Sequence, residues 1–588
     1  MPTLELSNFN IVCSVLGGFI TLFGLVSYLC KERFYLSEAL ISMLAGTAFS
    51  PHGANFIRPM DYALGSETNL EAITMYFTRL VLGVQLVLAG VQLPGRYLQT
   101  EWKSLLLLLG PGMAIMWISS GLLVWGLVPK ISLLEALAIG ACVTPTDPVL
   151  SNSIVKGKFA DKNVPRPLQR IIVAESGAND GLGYPFLFIA LYLLKYTQGP
   201  GFSGGTGKAI ALWVYETLVY EILLSTVYGI VVGWLSMKLL HWAEEKRYVD
   251  RESFLVFAIS LGLFIMGTCG LVGTDDLLAC FIAGNAFTHD DWFRQETMDD
   301  SLQPTVDMLL NLAIFMWFGA VCPWASFLKN DIIPIYRLVA LGILILLFRR
   351  LPVVLAMHKY IHQIEQFSQA AFVGFFGPIG VGAIFYLSVC RQFLLEEMMV
   401  DGEIRDDAKR TAEAAYLVVW FLVICSIVVH GMSVPLGKAG YHIPRTISSA
   451  LSEHGHEPIR IPSSNNTHST ATLPVLPGLR FSRSRKVKRD QQQHPEPART
   501  VFQIGGGVST ANEEVSSNIS LQDNAAAGPS GQQQQQAKQT REHAVLNEDG
   551  EEEQLPPIRV PSVVYEPRRP VRLLGEDGRV TETLNASD

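Results

Sequence analysis

The chain has 588 residues, of which 49% are apolar and 17% are charged, and its formal net charge is −8. Residues up to about 440 alternate long apolar runs with short polar loops, whereas the remainder is polar and rich in Pro, Gln and Ser. No polar stretch of the first part is long enough for a soluble catalytic domain, which argues against an enzyme, and nothing indicates a nucleic-acid partner.

The apolar runs of the first part have the length of membrane-spanning helices. They predict an all-α polytopic membrane protein that lies in the lipid bilayer and has about 13 spans. The predicted spans lie near 9–30, 36–51, 71–93, 104–127, 131–155, 168–194, 211–240, 253–272, 274–288, 305–327, 332–357, 368–390 and 411–436.

An odd number of spans places the two ends of the chain on opposite sides of the membrane. Basic residues are more frequent in the loops that would follow spans one, five and seven, so these loops are predicted to be cytoplasmic. The N-terminus is then outside and the C-terminus inside. We predict a transmembrane domain over residues 1–440 and a disordered cytoplasmic tail over residues 441–588, because the tail cannot bury enough apolar surface to fold.

Span five contains two prolines three residues apart, Pro145 and Pro148. Each removes a backbone donor and clashes with the preceding turn, so together they predict an interrupted helix. Thr146 and Asp147 bring side-chain oxygens to this break. The freed carbonyls need partners, and a small cation is one candidate. The alternative is a proline kink with a capping aspartate.

Span six carries Glu175, Ser176, Asn179 and Asp180 near its middle. Ser176 and Asp180 are four residues apart and share a helix face, and Glu175 and Asn179 share the adjoining face. An aspartate at the centre of a membrane helix costs about 2.5–3.5 kcal/mol on insertion scales, so such groups usually pair or bind something. A structural network of buried polar groups is the alternative.

Span twelve contains Gly377, Pro378 and Gly380, which predict a second interruption. If spans one to six and eight to thirteen are inverted repeats, the two interrupted spans occupy matching positions. Interrupted spans at matching positions of two halves are typical of a transport site at the middle of the membrane. The glycines are alternatively explained by close helix packing.

Two further groups of charged residues are candidates for supporting roles. Arg349 and Arg350 in span eleven either neutralise Glu175 across the bundle or extend toward the inner surface. Asp275 and Asp276 open span nine on the outer side, where they either cap the helix or form a candidate cation entry.

These motifs together resemble the monovalent cation/proton antiporters of the CPA1 group, and most of all the fungal plasma-membrane sodium/proton antiporters. The resemblance covers nearly all of residues 9–436. It implies a homodimer in the plasma membrane that exchanges Na⁺ for H⁺ in cation and pH homeostasis, with K⁺ or Li⁺ as other candidate cations and without a cofactor. It also implies that Asp180 binds the cation or the proton, with Ser176, Thr146 and Asn179 beside it.

The same resemblance implies that Asp147 balances the dipoles of the crossed helices and that Arg349 pairs with Glu175. The predicted mechanism is alternating access, with Na⁺ and H⁺ competing for Asp180. An intramembrane aspartyl protease, a cation channel and a transporter-like sensor are the alternatives. The protease is disfavoured because the Gly-x-Gly-Asp arrangement is absent, and no carbonyl filter loop supports a channel.

Overall fold

The structure is a computed structural model that describes residues 8–34, 36–155, 164–198 and 204–453, together with four short strands nearer the C-terminus. Contacts divide the chain into two units, Met1–Pro462 and Ser463–Asp588. The first unit is almost entirely helical and contains the predicted site. In the second unit the structure describes strands only.

The helices of the first unit follow one another with short connections. In chain order they are α1 Asn8–Tyr28, α2 Glu38–Phe49, α3 Pro59–Tyr62, α4 Glu67–Gln92, α5 Tyr97–Thr100, α6 Trp102–Leu107, α7 Met113–Leu127, α8 Leu133–Cys142, α9 Pro148–Val155, α10 Arg166–Gly181, α11 Tyr184–Thr197, α12 Gly205–Leu212, α13 Leu224–Glu245, α14 Arg251–Val272, α15 Asp276–Phe287, α16 Trp292–Glu296, α17 Leu302–Val321, α18 Ile335–Phe348, α19 Leu351–Met357, α20 Phe367–Phe375, α21 Val381–Gln392 and α22 Asp406–Glu453.

Five helical turns of other types extend or connect these helices. The π-helical ones are Leu29–Arg33, Leu108–Gly112, Trp213–Leu223 and Phe393–Glu397, and His358–Tyr360 is a 3₁₀ turn. The short strands β1 (Met399–Val400) and β2 (Glu403–Ile404) pair antiparallel. Asp401 and Gly402 connect them with positive φ angles of 55° and 84°, as the tight turn of a two-residue hairpin requires.

The helices group into thirteen consecutive segments in the described part of the chain. They cover 8–33, 38–49, 67–92, 102–127, 133–155, 166–197, 205–245, 251–272, 276–287, 302–321, 335–360, 367–397 and 406–453. Among the described residues, eight helical stretches are long and apolar enough to cross a membrane, and α2, α8 and α15 are shorter apolar helices. These segments match the predicted spans, whose numbers we keep, and the all-α polytopic prediction is confirmed.

Local sequence signals set several helix starts. Ser66 caps α4 by accepting a hydrogen bond from the backbone N–H of Asn69 at 3.3 Å. Ser132 and Glu135 form a reciprocal capping box at the start of α8, which is the first half of span five.

Small residues allow the helices around the site to approach closely. A Cβ on Gly284 of α15 would overlap the backbone carbonyl of Val87 in α4, and a Cβ on Gly233 of α13 would overlap that of Ala283. The short helix α15 is thus packed directly between α4 and α13. Close backbone contact of this kind is a main source of helix association in lipid, where apolar side chains gain little by meeting one another.

The C-terminal region lies mostly outside the described residues. Helix α22 continues to Glu453, beyond the predicted start of the tail at residue 441. The second unit contains two antiparallel hairpins, β3 (Val545–Leu546) with β4 (Glu552–Glu553) and β5 (Val571–Leu574) with β6 (Val580–Leu584). The disorder of residues 441–588 therefore stays a prediction.

Candidate functional site

The two interrupted spans meet at their breaks. Span five is helical to Cys142 and again from Pro148, and span twelve is helical to Phe375 and again from Val381. The backbone N–H of Asp147 donates to the carbonyl of Pro378 at 3.0 Å. The two predicted interruptions are present, and the breaks cross at Asp147 and Pro378.

The Asp147 carboxylate lies at the start of the second half of both interrupted spans. Its Oδ2 accepts a hydrogen bond from the N–H of Leu150 at 2.8 Å, and its Oδ1 accepts one from the N–H of Gly382 at 3.1 Å. Both donors are unpaired amides at helix N-termini, where the helix dipole is positive. The geometry fits the dipole-balancing role predicted for Asp147.

Arg349 lies at the opposite ends of the same breaks. Its Nη1 donates to the carbonyls of Val143, Thr144 and Pro145 at 2.6, 2.9 and 3.1 Å, and its Nη2 donates to the carbonyl of Gly377. These carbonyls end the first halves of spans five and twelve, where the dipoles are negative. The carbonyls at the break, among them that of Thr144 which Pro148 frees, are therefore occupied by a guanidinium of the protein, where a small cation was one candidate.

The predicted pairing of Glu175 with Arg349 is wrong, because Arg350 pairs with Glu175. Both guanidinium ends of Arg350 bond the two carboxylate oxygens, Nη2 to Oε2 at 2.8 Å, and its Nε donates to the carbonyl of Val373 at 3.0 Å. The physical reason is a local one. Helix α18 ends at Phe348 and α19 begins at Leu351, so the two arginines occupy the turn between them and their side chains diverge.

Asp180 lies at the centre of the described site. Its residue is 0% exposed, and neither carboxylate oxygen has a hydrogen-bond partner. A Cβ on Gly382 would lie 2.5 Å from its Oδ1, so glycine leaves the space that the carboxylate fills. An unpaired buried carboxylate is costly, and a proton or a small cation removes most of that cost.

Thr146 and Asn179 form a reciprocal pair beside this carboxylate. The Asn179 Nδ2 donates to Thr146 Oγ1 at 2.6 Å, and the Thr146 N–H donates to Asn179 Oδ1 at 3.2 Å. The pair joins the break of span five to the helix of Asp180. The Ser176 hydroxyl donates to the carbonyl of Ile172 at 2.8 Å, which leaves its oxygen lone pairs available to a ligand.

Asp275 and Asp276, which open span nine, make different contacts. Asp275 caps α15 by accepting from the N–H of Leu278 at 3.1 Å, and its second oxygen, buried, has no hydrogen-bond partner. Asp276 forms a 2.7 Å ion pair with Arg79 of α4. Asp275 interacts electrostatically with Asp180, whereas the charge of Asp276 is compensated. Asp275 therefore caps the helix, as one of the two alternatives expected. The role of the two aspartates in cation entry stays a prediction.

Tyr386 is a site residue that the sequence reasoning missed. Its hydroxyl donates to the backbone carbonyl of Asp180, and the carbonyl of Gly181 lies 3.3 Å away. A signal was available, because Tyr386 follows Gly382 by four residues and so shares its helix face. Within the described residues no group of three His, Cys, Asp or Glu side chains has metal-binding geometry. A monovalent cation would instead use Asp180 with the hydroxyl and amide oxygens around it.

Residues 18–436 match the family of transmembrane sodium/hydrogen exchangers. The chain belongs to this family. The Na(+)/H(+) antiporter 2 of Zygosaccharomyces rouxii is similar to this exchanger-family chain, with 34% identity over 516 residues, covering 86% of this chain and 61% of that protein. A Na(+)/H(+) antiporter of Schizosaccharomyces pombe is 31% identical over 435 residues, covering 73% of this chain and 90% of that protein.

Two further observations define the extent of this likeness. The exchanger-family chain spans only 46% of the length of the Saccharomyces cerevisiae Na(+)/H(+) antiporter, with which it shares 35% identity. The solved structure of the sodium proton antiporter MjNhaP1 from Methanocaldococcus jannaschii has a similar fold, with a TM-score of 0.53 at 15% identity over 73% of this chain and 98% of that one. The predicted resemblance to fungal sodium/proton antiporters is confirmed.

Proposed function

We propose that this exchanger-family chain is a secondary antiporter that exchanges Na⁺ for H⁺ across a membrane, with K⁺ and Li⁺ as further candidate cargo. The observation that carries the proposal is the Asp180 carboxylate, which is fully buried and has no hydrogen-bond partner among the described residues, at the place where two interrupted spans cross. The named relatives and the family support the same reaction.

The exchange follows from competition for one carboxylate. A dehydrated Na⁺ ion needs oxygen ligands, which Asp180, Ser176 and Thr146 would supply, and it binds only after the proton has left. Either guest neutralises the carboxylate, so the loaded site can move between the two sides of the membrane. An empty, charged site faces a desolvation cost of several kcal/mol and moves rarely. The two flows are thereby coupled without a cofactor.

The charges around Asp180 favour transport over peptide hydrolysis. An aspartyl protease needs two carboxylates that share a proton and face one substrate. In this site each Asp147 oxygen already accepts a backbone N–H, and the Glu175 carboxylate is paired with Arg350. Of the Asp147, Glu175 and Asp180 carboxylates, only that of Asp180 has no hydrogen-bond partner among the described residues. We infer a transporter and not an enzyme.

We further propose that the protein acts as a homodimer in the plasma membrane, with its N-terminus outside and its tail in the cytoplasm, where it contributes to cation and pH homeostasis. The distribution of basic loop residues supports this orientation. Helix α1 is strongly apolar and only 6% of its most apolar stretch is buried within the chain, so either lipid or a second copy covers it.

The proposed function is tested with the Asp180→Asn variant in sealed vesicles. Proton flux is recorded while Na⁺, K⁺ and Li⁺ are added in turn at several pH values. We expect cation-dependent proton movement to disappear in this variant, because an amide neither binds a proton in this range nor attracts a cation. Asp61→Asn is the matched control, since Asp61 is half exposed and forms only an ion pair with Arg58 at 3.8 Å. Normal exchange in Asp180→Asn would refute the proposal.

A further inference from the structure

The break in span twelve is bridged from span thirteen. The residue that ends its first half, Phe375, offers its carbonyl to the Nε2 of His430 at 3.0 Å. On the other side of the break, the N–H of Ile379 donates to the Ser426 hydroxyl at 2.7 Å. Ser426 and His430 are four residues apart in α22 and therefore share one face. Two side chains of one helix thus hold both ends of the interruption.

The hydrogen bonds of this bridge form one continuous chain with a defined direction. In the tautomer that carries its hydrogen on Nε2, the neutral ring donates to the Phe375 carbonyl, and Nδ1 is then an acceptor. The Ser426 hydroxyl lies 3.1 Å from Nδ1 and can donate to it while accepting from Ile379. The order is Ile379 N–H to Ser426 Oγ, Ser426 O–H to His430 Nδ1, and His430 Nε2–H to the Phe375 carbonyl. A neutral histidine satisfies every member.

The surroundings of His430 are buried and largely aromatic. Ser426 is 0% exposed and His430 is 5% exposed, and the rings of Phe375 and Phe376 lie 5.3 and 6.1 Å from the imidazole. The Ser426 carbonyl, 2.9 Å from Nδ1, is the group that a protonated ring would bond instead.

The bridge has a direct consequence for the cation site. Gly380 and Gly382 follow the bridged residues at once, and a Cβ on either would overlap the carboxylate of Asp147 or Asp180, respectively. The distance between the two ends of the break therefore decides how closely span twelve approaches both aspartates. A polar backbone group that loses its partner here has no water to replace it.

We propose that His430, together with Ser426, is a positioning residue that fixes the interrupted segment of span twelve against Asp147 and Asp180. This inference rests on the proposed antiport, which it deepens by naming what holds the site together. The required chemistry is an N–H donor at the position of Nε2 and an acceptor at the position of Nδ1. Glutamine can supply both groups, whereas leucine supplies neither.

The test compares His430→Gln, His430→Leu and Ser426→Ala in proteoliposomes, with the full-length protein and Na⁺ or Li⁺ as the cation. For His430→Leu and Ser426→Ala we expect the cation concentration at half-maximal exchange to rise by about tenfold, the scale of leaving a buried polar group unpaired. His430→Gln is expected within about twofold of the wild type, by the same hydrogen-bond argument. The matched control is Ser433→Ala, whose hydroxyl only donates to the His430 carbonyl at 2.7 Å.

The outcomes distinguish failure of the His430 inference from failure of the proposed antiport. If wild-type exchange depends on Asp180 and His430→Leu keeps its cation affinity, the bridge is refuted while antiport stands. If His430→Gln is as defective as His430→Leu, the hydrogen-bond explanation is also refuted. Should the leucine variant not reach the membrane, Ser426→Ala decides alone, and unchanged affinity in that variant overturns the proposal.

Discussion

The ion pair between Glu175 and Arg350 provides the sharpest test of the site's construction. Glu175 and Arg350 are each 3% exposed, and their charged ends form two parallel hydrogen bonds. Arg350→Gln leaves the carboxylate buried without a counter-ion. Removing one member of a buried pair costs about 3–5 kcal/mol. The variant should therefore unfold at clearly lower temperature in detergent and accumulate poorly in the membrane.

The second step of this test adds Glu175→Gln to two single variants, Arg350→Gln and Arg349→Gln. In the Arg350→Gln background it removes the uncompensated charge, so we expect recovery of at least about 2 kcal/mol as a coupling free energy between the two positions. In the Arg349→Gln background it should give no recovery, since Arg349 bonds the carbonyls of the interrupted spans and not Glu175. The unfolding midpoints of the purified single and double variants measure the recovery in each background. Recovery of Arg349→Gln, with none for Arg350→Gln, would refute the assignment.

Two further predictions concern the site and a surface loop. Gly382→Ala places a Cβ 2.5 Å from the Asp180 carboxylate and should reduce Na⁺/H⁺ exchange in vesicles at least about tenfold, because small displacements of reacting groups are costly. The control is Gly267→Ala, whose Cβ would meet nothing within 4 Å and which should leave exchange unchanged. Hydrogen bonds from Arg294 lower the pKa of Asp291 from its ordinary value near 4 to about 2, so the pair contributes its full stabilisation above about pH 4 and loses it as the pH falls toward about 2. Asp291→Asn should therefore lower the unfolding midpoint by an equal amount at pH 6 and pH 8, which thermal scans at both values check, and a loss confined to one of them would contradict the assignment.

Much of the architecture was predictable from the sequence because its determinants are local. The bilayer fixes the length of an apolar run, so the spans could be located without knowledge of their neighbours. Pro145 and Pro148 break a helix through their own covalent structure, wherever that helix lies. The spacing of Ser176 and Asp180 places them on one face by helix geometry alone. These three facts predicted the spans, the interruption of span five and the shared face of Ser176 and Asp180, whereas the central role of Asp180 was implied by the family resemblance.

The partners of the charged groups were decided only by the tertiary structure. Arg349 and Arg350 are adjacent and chemically identical, and a turn between two helices determines which one meets Glu175 and which one bonds the freed carbonyls. His430 bonds a residue 55 positions away in the chain, across a break that no local pattern connects to it. Such contacts depend on how helices far apart in the sequence pack together. The length of a span, the position of a helix break and the helix face that two residues share are each set by a single segment.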